Sequence, residues 1–494
     1  MSQARLAPCV KLPLDEKLLT SVIEKAKDWA LMHGVGMRDK KHFNKDMIQI
    51  APFVLLPSPF PRAEFNKAVE LQPVLNELMH KVAHDDEFLE NTLQNALQVD
   101  DFTANLYDIW IKVRKEGIAQ SLSLGLFRSD YLMQAPEVNH IKQVEFNTVA
   151  SSFGAITSYL PAMSRYRHVL SVEQIINNNL LQMPENRALS GLCSGIIQAY
   201  DLFGVPSAVV LFVVEEVSYN ICDQRFHEFE ISEKRSDIPI HRKTLNEIYE
   251  ETELNDKKQL IDGRPVAVVY YRSGYEPTQY PSAKEWEARL RVERSTAIKC
   301  PSIHYQLAGT KKVQQALAVP GALERFVAGP CINRVRDIFT GLYSLDFDES
   351  GEEAVEMALA DADRFVLKPQ REGGGNNIYG GEVREALLRM RHSRERAAYI
   401  LMERILPPLV PGYVVRPGGP IPPPLTDLVS ELGIFGVIIG TKDKIYCNRQ
   451  VGHMLRTKLA DANEGGVAAG LGALDSPYLD VNHHILEDET LKFI

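Results

Sequence analysis

Lys368 to Glu382 reads KPQREGGGNNIYGGE. Three consecutive glycines, Gly373, Gly374 and Gly375, let backbone N–H groups approach a ligand without side-chain obstruction. Amide-rich loops of this kind bind phosphate. Lys368 and Arg371 add positive charge, Glu372 offers a hard oxygen for Mg²⁺, and Asn376 and Asn377 add polar contacts. Gly380 and Gly381 supply hinges for the same flap. The alternative reading of such a cluster is a flexible surface hairpin. The chain holds no GxxxxGK[ST] and no GxGxxG opening a helix after a strand, so P-loop and Rossmann readings fall away.

A second segment, VEFNTVASSFG, runs from Val144 to Gly154. On a strand, side chains alternate, so Glu145 and Asn147 share one face. A carboxylate and an amide oxygen so placed suit a Mg²⁺ ion that keeps waters and phosphate oxygens, and a solvated strand face is the alternative. Ser151 and Ser152 can hydrogen-bond a polar substrate. A third segment, Gly452 to Gly470, sets Arg456 two residues before Lys458, followed by Glu464 and a small-residue loop. Arg suits a planar carboxylate and Lys suits phosphate; an exposed basic turn is the alternative. Lys311 and Lys312 open a helical pattern, where an anion is favoured. Arg128 and Arg272 each sit beside strand-like apolar residues. His80 and His84 share a helix face with no third ligand in view, which reads as a solvated or packed face. HExxH and GxSxG are absent from the sequence.

These residues need elements to hold them. Apolar spacing predicts helices over Leu14–His33, Phe65–His84 and Asn105–Leu122, with Pro57–Pro61 breaking the first two. Strands are expected at His140–Asn147, Ala208–Val214, Val266–Tyr271, Arg364–Lys368, Tyr399–Met402, Leu432–Gly440 and Lys444–Asn448. Helices are expected at Ala283–Ile298, Lys311–Leu317, Glu352–Leu359 and Glu382–Arg391. The alternation argues α/β layers. Leu406–Leu425, rich in Pro and Gly, reads as a loop or linker.

The chain has 494 residues, 45% hydrophobic and 24% charged, enough for a large core in about three lobes. A formal charge of −10 argues against nucleic-acid coating. No apolar run approaches the roughly 18 residues of a bilayer span, so no membrane partner is expected. The N-terminal residues carry no apolar h-region, so no secretory leader is expected. Six scattered cysteines without a CxxC pair read as reduced thiols, and the expected location is cytoplasmic.

The motifs RSDY, VEFNT with ASSFG, YNICDQR, YRSGY, QLAGTKKVQQ, FVLKPQREGGGNN, SELGIFG and LRTK…EGGVAAG together resemble the eukaryotic-type glutathione synthetases. The resemblance covers nearly the whole chain. It implies an α/β ATP-grasp fold with an inserted α/β substrate-binding domain and a glycine-rich lid. The parts expected are a core of residues 1–205, a substrate domain 206–308, more core 309–340, a lid 341–414 and a C-terminal core 415–494. It implies ligation of γ-glutamylcysteine to glycine, with ATP becoming ADP and phosphate, by a cytosolic homodimer using two Mg²⁺ per site.

Carried over by position, the resemblance implies Glu145, Asn147 and Glu372 as metal ligands. ATP contacts are implied for Glu145, Lys311, Lys368, Gly373, Gly374, Gly375, Asn376, Asn377, Tyr379, Met402, Glu403, Arg404, Ile405, Glu431, Lys458 and Glu464. Substrate contacts are implied for Arg128, Val149, Ala150, Ser151, Ser152, Ser218, Tyr219, Asn220, Gln224, Arg272, Ser273, Gly274, Tyr275, Arg456, Val467 and Ala468. Arg128, Lys311, Lys368 and Gly374 are the expected catalytic set. Two positions depart from the family pattern: Ser218 stands where relatives carry Glu, and Glu464 where they carry Asp. The same chemistry with another acceptor amino acid, or an ATP or glutathione sensor without catalysis, are the rival readings.

Overall fold

Two of the long helices begin where an aspartate accepts from their first amides. The computed structural model describes residues 4–135, 139–149, 151–165, 182–371, 375–463, 465–467, 470–480 and 485–486. Asp15 caps α1 (Glu16–Met32) from Lys17 and Leu18 N–H at 3.1 Å, and Asp100 caps α3 (Asp101–Glu116) from Thr103 N–H at 2.7 Å. Between them α2 spans Arg62–Ala83. The expected Asn105–Leu122 helix stops at Glu116, because Gly117 takes φ 88° and ends it.

The chain then alternates. It forms β1 (Ser123–Gln134), β2 (His140–Asn147), α4 (Gly154–Arg165), α5 (Ala188–Phe203), β3 (Val209–Val213), α6 (Ile221–Lys234), β4 (Ile240–Lys243) and β5 (Arg264–Tyr271). It continues with α7 (Ala283–Arg294), β6 (Ile298–Cys300), α8 (Lys311–Leu317), β7 (Leu342–Ser344), α9 (Glu349–Ala360), β8 (Phe365–Pro369), β9 (Ile378–Tyr379) and α10 (Gly381–Met390). It ends with β10 (Tyr399–Glu403), β11 (Thr426–Gly440), β12 (Ile445–Leu459) and β13 (Gly472–Asp475).

One large mixed sheet carries β3, β4, β5 and β6 as a parallel block, joined to β1 where Lys299 pairs with Ser123. From β1 the sheet runs antiparallel through β11, β12 and β13, with β2 on the other side of β1. Strand β11 shows why the sheet is covered on both faces. Leu432, Ile434 and Ile438 enter the core that α2 closes, while Phe435, Val437 and Ile439 enter the core that α5 closes. A separate antiparallel sheet, in the order β7, β10, β8, β9, forms a smaller unit. Leu367 and Leu401 pack there against Val355 of α9 and Val383 of α10. Among the described residues, no helix is long and apolar enough to cross a membrane.

Three further expectations need correction. Pro57–Pro61 is not only a break, since Ser58–Pro61 pairs in parallel with Pro477–Asp480. Leu406–Leu425 holds two short strands, Val410–Gly412 on Leu428 and Val414–Val415 on Phe53–Val54. Proline is tolerated there because the pairings are only two or three residues long. The expected helix Ala283–Ile298 ends at Arg294, and Ile298 opens β6 instead.

His80 and His84 take the packed reading. His80 sits between the Tyr305 hydroxyl at 2.5 Å and the Thr441 carbonyl at 2.9 Å. Burial and the neighbouring His84 push its pKa down to about 4, and burial alone pushes His453 down to about 3. Both histidines are therefore neutral when folded and must bind a proton on unfolding in mild acid. Their stabilisation is complete above the unfolded pKa near 6.5 and is lost as pH falls below it. Each costs about 1.4 kcal/mol per pH unit, so together about 4 kcal/mol between pH 6.5 and pH 5. Thermal unfolding should show a clear fall in midpoint over that range. A flat profile would mean that these imidazoles are solvated or charged.

Candidate active site

Strand pairing brings four charged segments together. On β1 and β2, Arg128 lies opposite Asn147 and Asp130 opposite Glu145. On the other flank β11 sets Gly433 opposite Asp130, and β12 sets Arg456 opposite Glu431 and Lys458 opposite Val429. The smaller sheet forms the facing wall, with Lys368 on β8, Tyr379 on β9 and Met402 and Glu403 on β10. Lys311, the first residue of α8, closes one side. The space between is a cleft of about 280 Å³.

Charge is concentrated in this cleft. Lys311 Nζ lies 3.0 Å from Glu145 Oε2, and Lys368 Nζ donates to the Val144 carbonyl at 2.8 Å. Arg456 pairs with Glu431, its Nε donating at 3.0 Å, and stands 3.9 Å from Glu145 and 3.5 Å from Asp130. Burial opposes the charge on Glu145, but Lys311, Lys368 and Arg456 outweigh it and hold its carboxyl well below the usual range. Glu431 moves the other way: burial raises it, and Asp130 and Glu145 add to the rise against the pull of Arg456. Three carboxylates, Asp130, Glu145 and Glu431, share the Arg456 guanidinium. Asn147 donates Nδ2 to Asp130 at 3.0 Å, which turns its amide oxygen the other way. Glu145 and Asn147 thus fit Mg²⁺ by donor type. Leu132, Val144, Val366, Met402 and Ile405 give the same cleft an apolar shelf.

Most of the expected site residues line this cleft. Besides those already placed, Val149, Ser152, Tyr275, Asn376, Asn377, Arg404 and Val467 do so. Arg456 and Lys458 are on a strand, which disposes of the exposed-turn alternative. Arg371 lines the cleft and also pairs with Asp100, the cap of α3. Other expected residues stand outside the cleft wall. Gly375 takes φ +82° at the loop's edge, and Ser151 donates to the Leu126 carbonyl at 2.8 Å. Ser218, Tyr219, Asn220, Gln224, Arg272, Ser273 and Gly274 lie beyond the cleft, around a buried network. In it Arg272 Nη2 donates to Asp223 at 2.9 Å and to Ser152 Oγ at 3.0 Å, which ties the group to the cleft. Arg242 donates to Gln224 at 2.8 Å and to Ser218 at 3.5 Å. Ala150, Glu372, Gly373, Gly374, Glu464 and Ala468 lie outside the described residues.

The profile of the eukaryotic glutathione synthase ATP-binding domain matches residues 16–479. The chain belongs to the eukaryotic glutathione synthase family. Glutathione synthetase of Homo sapiens is 45% identical over 470 residues, covering 94% of this chain and 98% of that protein. The Xenopus laevis glutathione synthetase is 44% identical over 471 residues, with the same coverage of both chains. The chloroplastic glutathione synthetase of Arabidopsis thaliana is 39% identical over 475 residues, covering 94% and 86%. Among solved structures, a glutathione synthetase-like effector from Globodera pallida, in its apo form, superimposes with a TM-score of 0.74 at 25% identity, covering 95% of this chain and 98% of that one. These matches agree with the ATP-grasp arrangement of a large sheet facing a smaller one, and with ATP as a ligand of the glutathione synthase cleft.

Two acidic residues of this glutathione synthase family member are central to the network yet carry no expectation from sequence. Asp130 joins Arg128, Asn147 and Arg456, and Asp223 joins Arg272 to the amides of Phe153 and Ala155. The signal available for Asp130 was its spacing, two residues after Arg128 on one strand.

Proposed function

We propose that this chain joins γ-glutamylcysteine to glycine, with ATP becoming ADP and phosphate, through an acyl phosphate. A carboxylate is a poor electrophile. In the first step its oxygen attacks the γ-phosphorus and ADP leaves. In the second the glycine amine attacks the acyl carbon, phosphate leaves, and the amine loses a proton. This route needs no Ser, Cys or His nucleophile. The observation that carries the reading is the convergence of Arg128, Lys311, Lys368 and Arg456 on one cleft beside an apolar shelf.

In this reading the shelf takes the adenine, and Lys311 and Lys368 offset phosphate charge as it moves to the leaving ADP. Arg128 lies beside the acyl phosphate and Arg456 takes the glycine carboxylate. Glu145 and Asn147, with Glu372 of the glycine loop, would hold Mg²⁺. Bound there, Mg²⁺ neutralises phosphate charge and orients the transferring group. The glycine run, with no side chains to obstruct its amides, would offer N–H groups to the phosphates. Arg272, Gln224 and Ser218 lie where the γ-glutamyl end would reach beyond Ser152. The proposal extends to a homodimer in the cytosol, in keeping with six free thiols. Light scattering should return two chains per particle.

The test is ADP release by purified protein with Mg²⁺-ATP and γ-glutamylcysteine, with and without glycine, and product identification by mass. Glycine-dependent ADP and a product of glutathione's mass are expected. ADP release driven by another amino acid would move the acceptor, and binding of ATP without turnover would favour a sensor.

A further inference from the structure

The cleft is organised by a carboxylate that does not line it. Asp130 is 1% exposed, yet its two oxygens meet four donors. Arg128 donates Nε at 2.6 Å and Nη2 at 2.7 Å, Asn147 donates Nδ2 at 3.0 Å, and Arg456 donates Nη2 at 3.5 Å. All three partners line the cleft, and Asp130 lies behind them.

The geometry has a directional consequence. A guanidinium offers two flat edges for paired hydrogen bonds. Asp130 occupies the Nε–Nη2 edge of Arg128, so Nη1 is turned toward Ser152, whose carbonyl it reaches at 3.4 Å. The same carboxylate fixes which way the Asn147 amide faces. Space for this arrangement comes from the next strand. A Cβ on Gly433 would stand 2.8 Å from Asp130 Oδ1 and 2.9 Å from Arg128 Cδ, closer than packed atoms allow. The glycine has no positive φ, so its role here is room and not backbone freedom.

We propose that Asp130 is the positioning residue of the ligase reaction, holding Arg128 in the single orientation that presents Nη1 to the reacting carboxyl group. The inference rests on the reading that Arg128 works at the reacting centre. Asp130 touches no substrate and acts through its partners. A misplacement of about 1 Å in a reacting geometry costs on the order of 100-fold in rate.

The test is a double-mutant cycle with Arg128→Ala, Asp130→Asn and the pair combined. Asp130→Asn keeps the shape but loses the charge and sets an NH₂ against the guanidinium. Its kcat should fall about 100-fold, while the KM for ATP stays within about twofold of wild type. The combined variant should be no slower than Arg128→Ala alone, because the proposed action of Asp130 runs through Arg128 and not through Asn147 or Arg456. Asp130→Asn at near-wild-type kcat, beside an impaired Arg128→Ala, would overturn the role of Asp130 and leave the reading of Arg128 standing. Multiplicative losses in the combined variant would also overturn it, since they place the action of Asp130 elsewhere. Near-wild-type turnover by Arg128→Ala would remove the reading itself. Thermal unfolding and calorimetry with a non-hydrolysable ATP analogue check that each variant is folded. If Asp130→Asn does not fold, Gly433→Ala replaces it in the cycle. That variant displaces the pair without deleting a charge, and it should lower kcat at least 10-fold without adding to Arg128→Ala.

Discussion

Glu145→Ala is expected to lower kcat about 1,000-fold while leaving the protein folded. The size follows from what the carboxylate does in the cleft. It is the direct partner of Lys311 at 3.0 Å and stands 3.9 Å from Arg456. It is also one of the two described oxygen donors that suit Mg²⁺. Removal takes away a proposed metal ligand and frees a lysine that is 3% exposed from the geometry that holds it. Removal of a single preorganised charge-stabilising group costs about 100- to 1,000-fold in comparable sites, and here two functions go at once. The stability cost is smaller, about 1–3 kcal/mol, because Lys311 lines a cleft and is not enclosed in the core. Glu145→Gln separates the two effects, since it keeps an oxygen ligand and the shape but not the charge, and it should fall between wild type and Ala. The measurement is kcat from ADP release at saturating ATP and Mg²⁺, beside a thermal unfolding midpoint. Turnover within 10-fold of wild type would show that Glu145 is a structural partner of Lys311 and no more.

The sequence pattern carried the strand-borne half of this site and little of its depth. Strand parity in VEFN put Glu145 and Asn147 on one face, and both line the cleft. Arg456 and Lys458 left a turn as an alternative, because LRTKLAD alternates apolar and charged residues too near a small-residue loop. Only the pairing of β12 with β11 along its whole length makes that segment a strand. Depth is harder to read, because burial depends on what a distant segment places above a residue. Ser218, Gln224 and Arg272 sit in order along the chain, yet nothing local says that they lie behind Ser152 and outside the cleft. Asp130 and Asp223 show the same limit from the other side. Aspartate is mostly a surface residue, and the partner that makes Asp223 tolerable inside, Arg272, is 49 positions away. Helix ends failed where one residue decided them, as Gly117 does for α3.

Asp223→Ala is the second large effect, and it falls on stability first. Asp223 is fully buried and accepts from Phe153 N–H and Ala155 N–H at 2.9 Å and from Arg272 Nη2 at 2.9 Å. It therefore satisfies amides at the start of α4 and neutralises a buried guanidinium at the same time. Burial pushes its carboxyl up, but the Arg272 charge, His227 and the donated hydrogen bonds outweigh burial and hold it below the usual range. Deleting one partner of such a pair leaves an uncompensated buried charge, at a cost of about 3–5 kcal/mol. Arg272 would also lose the restraint that aims it at Ser152 Oγ, 3.0 Å away on the cleft wall. The KM for γ-glutamylcysteine should then rise about 10-fold or more while the KM for ATP changes little, because the bonds of Asp223 run to Arg272 and to the start of α4. Asp223→Asn keeps one acceptor oxygen and should lose roughly half as much stability. Urea unfolding of the three proteins, with both Michaelis constants, decides the matter. A loss below about 1 kcal/mol would mean that water reaches Arg272 and that the network is not the dry junction its geometry describes. A large loss with an unchanged KM for γ-glutamylcysteine would keep Asp223 as a structural clamp and detach Arg272 from the substrate.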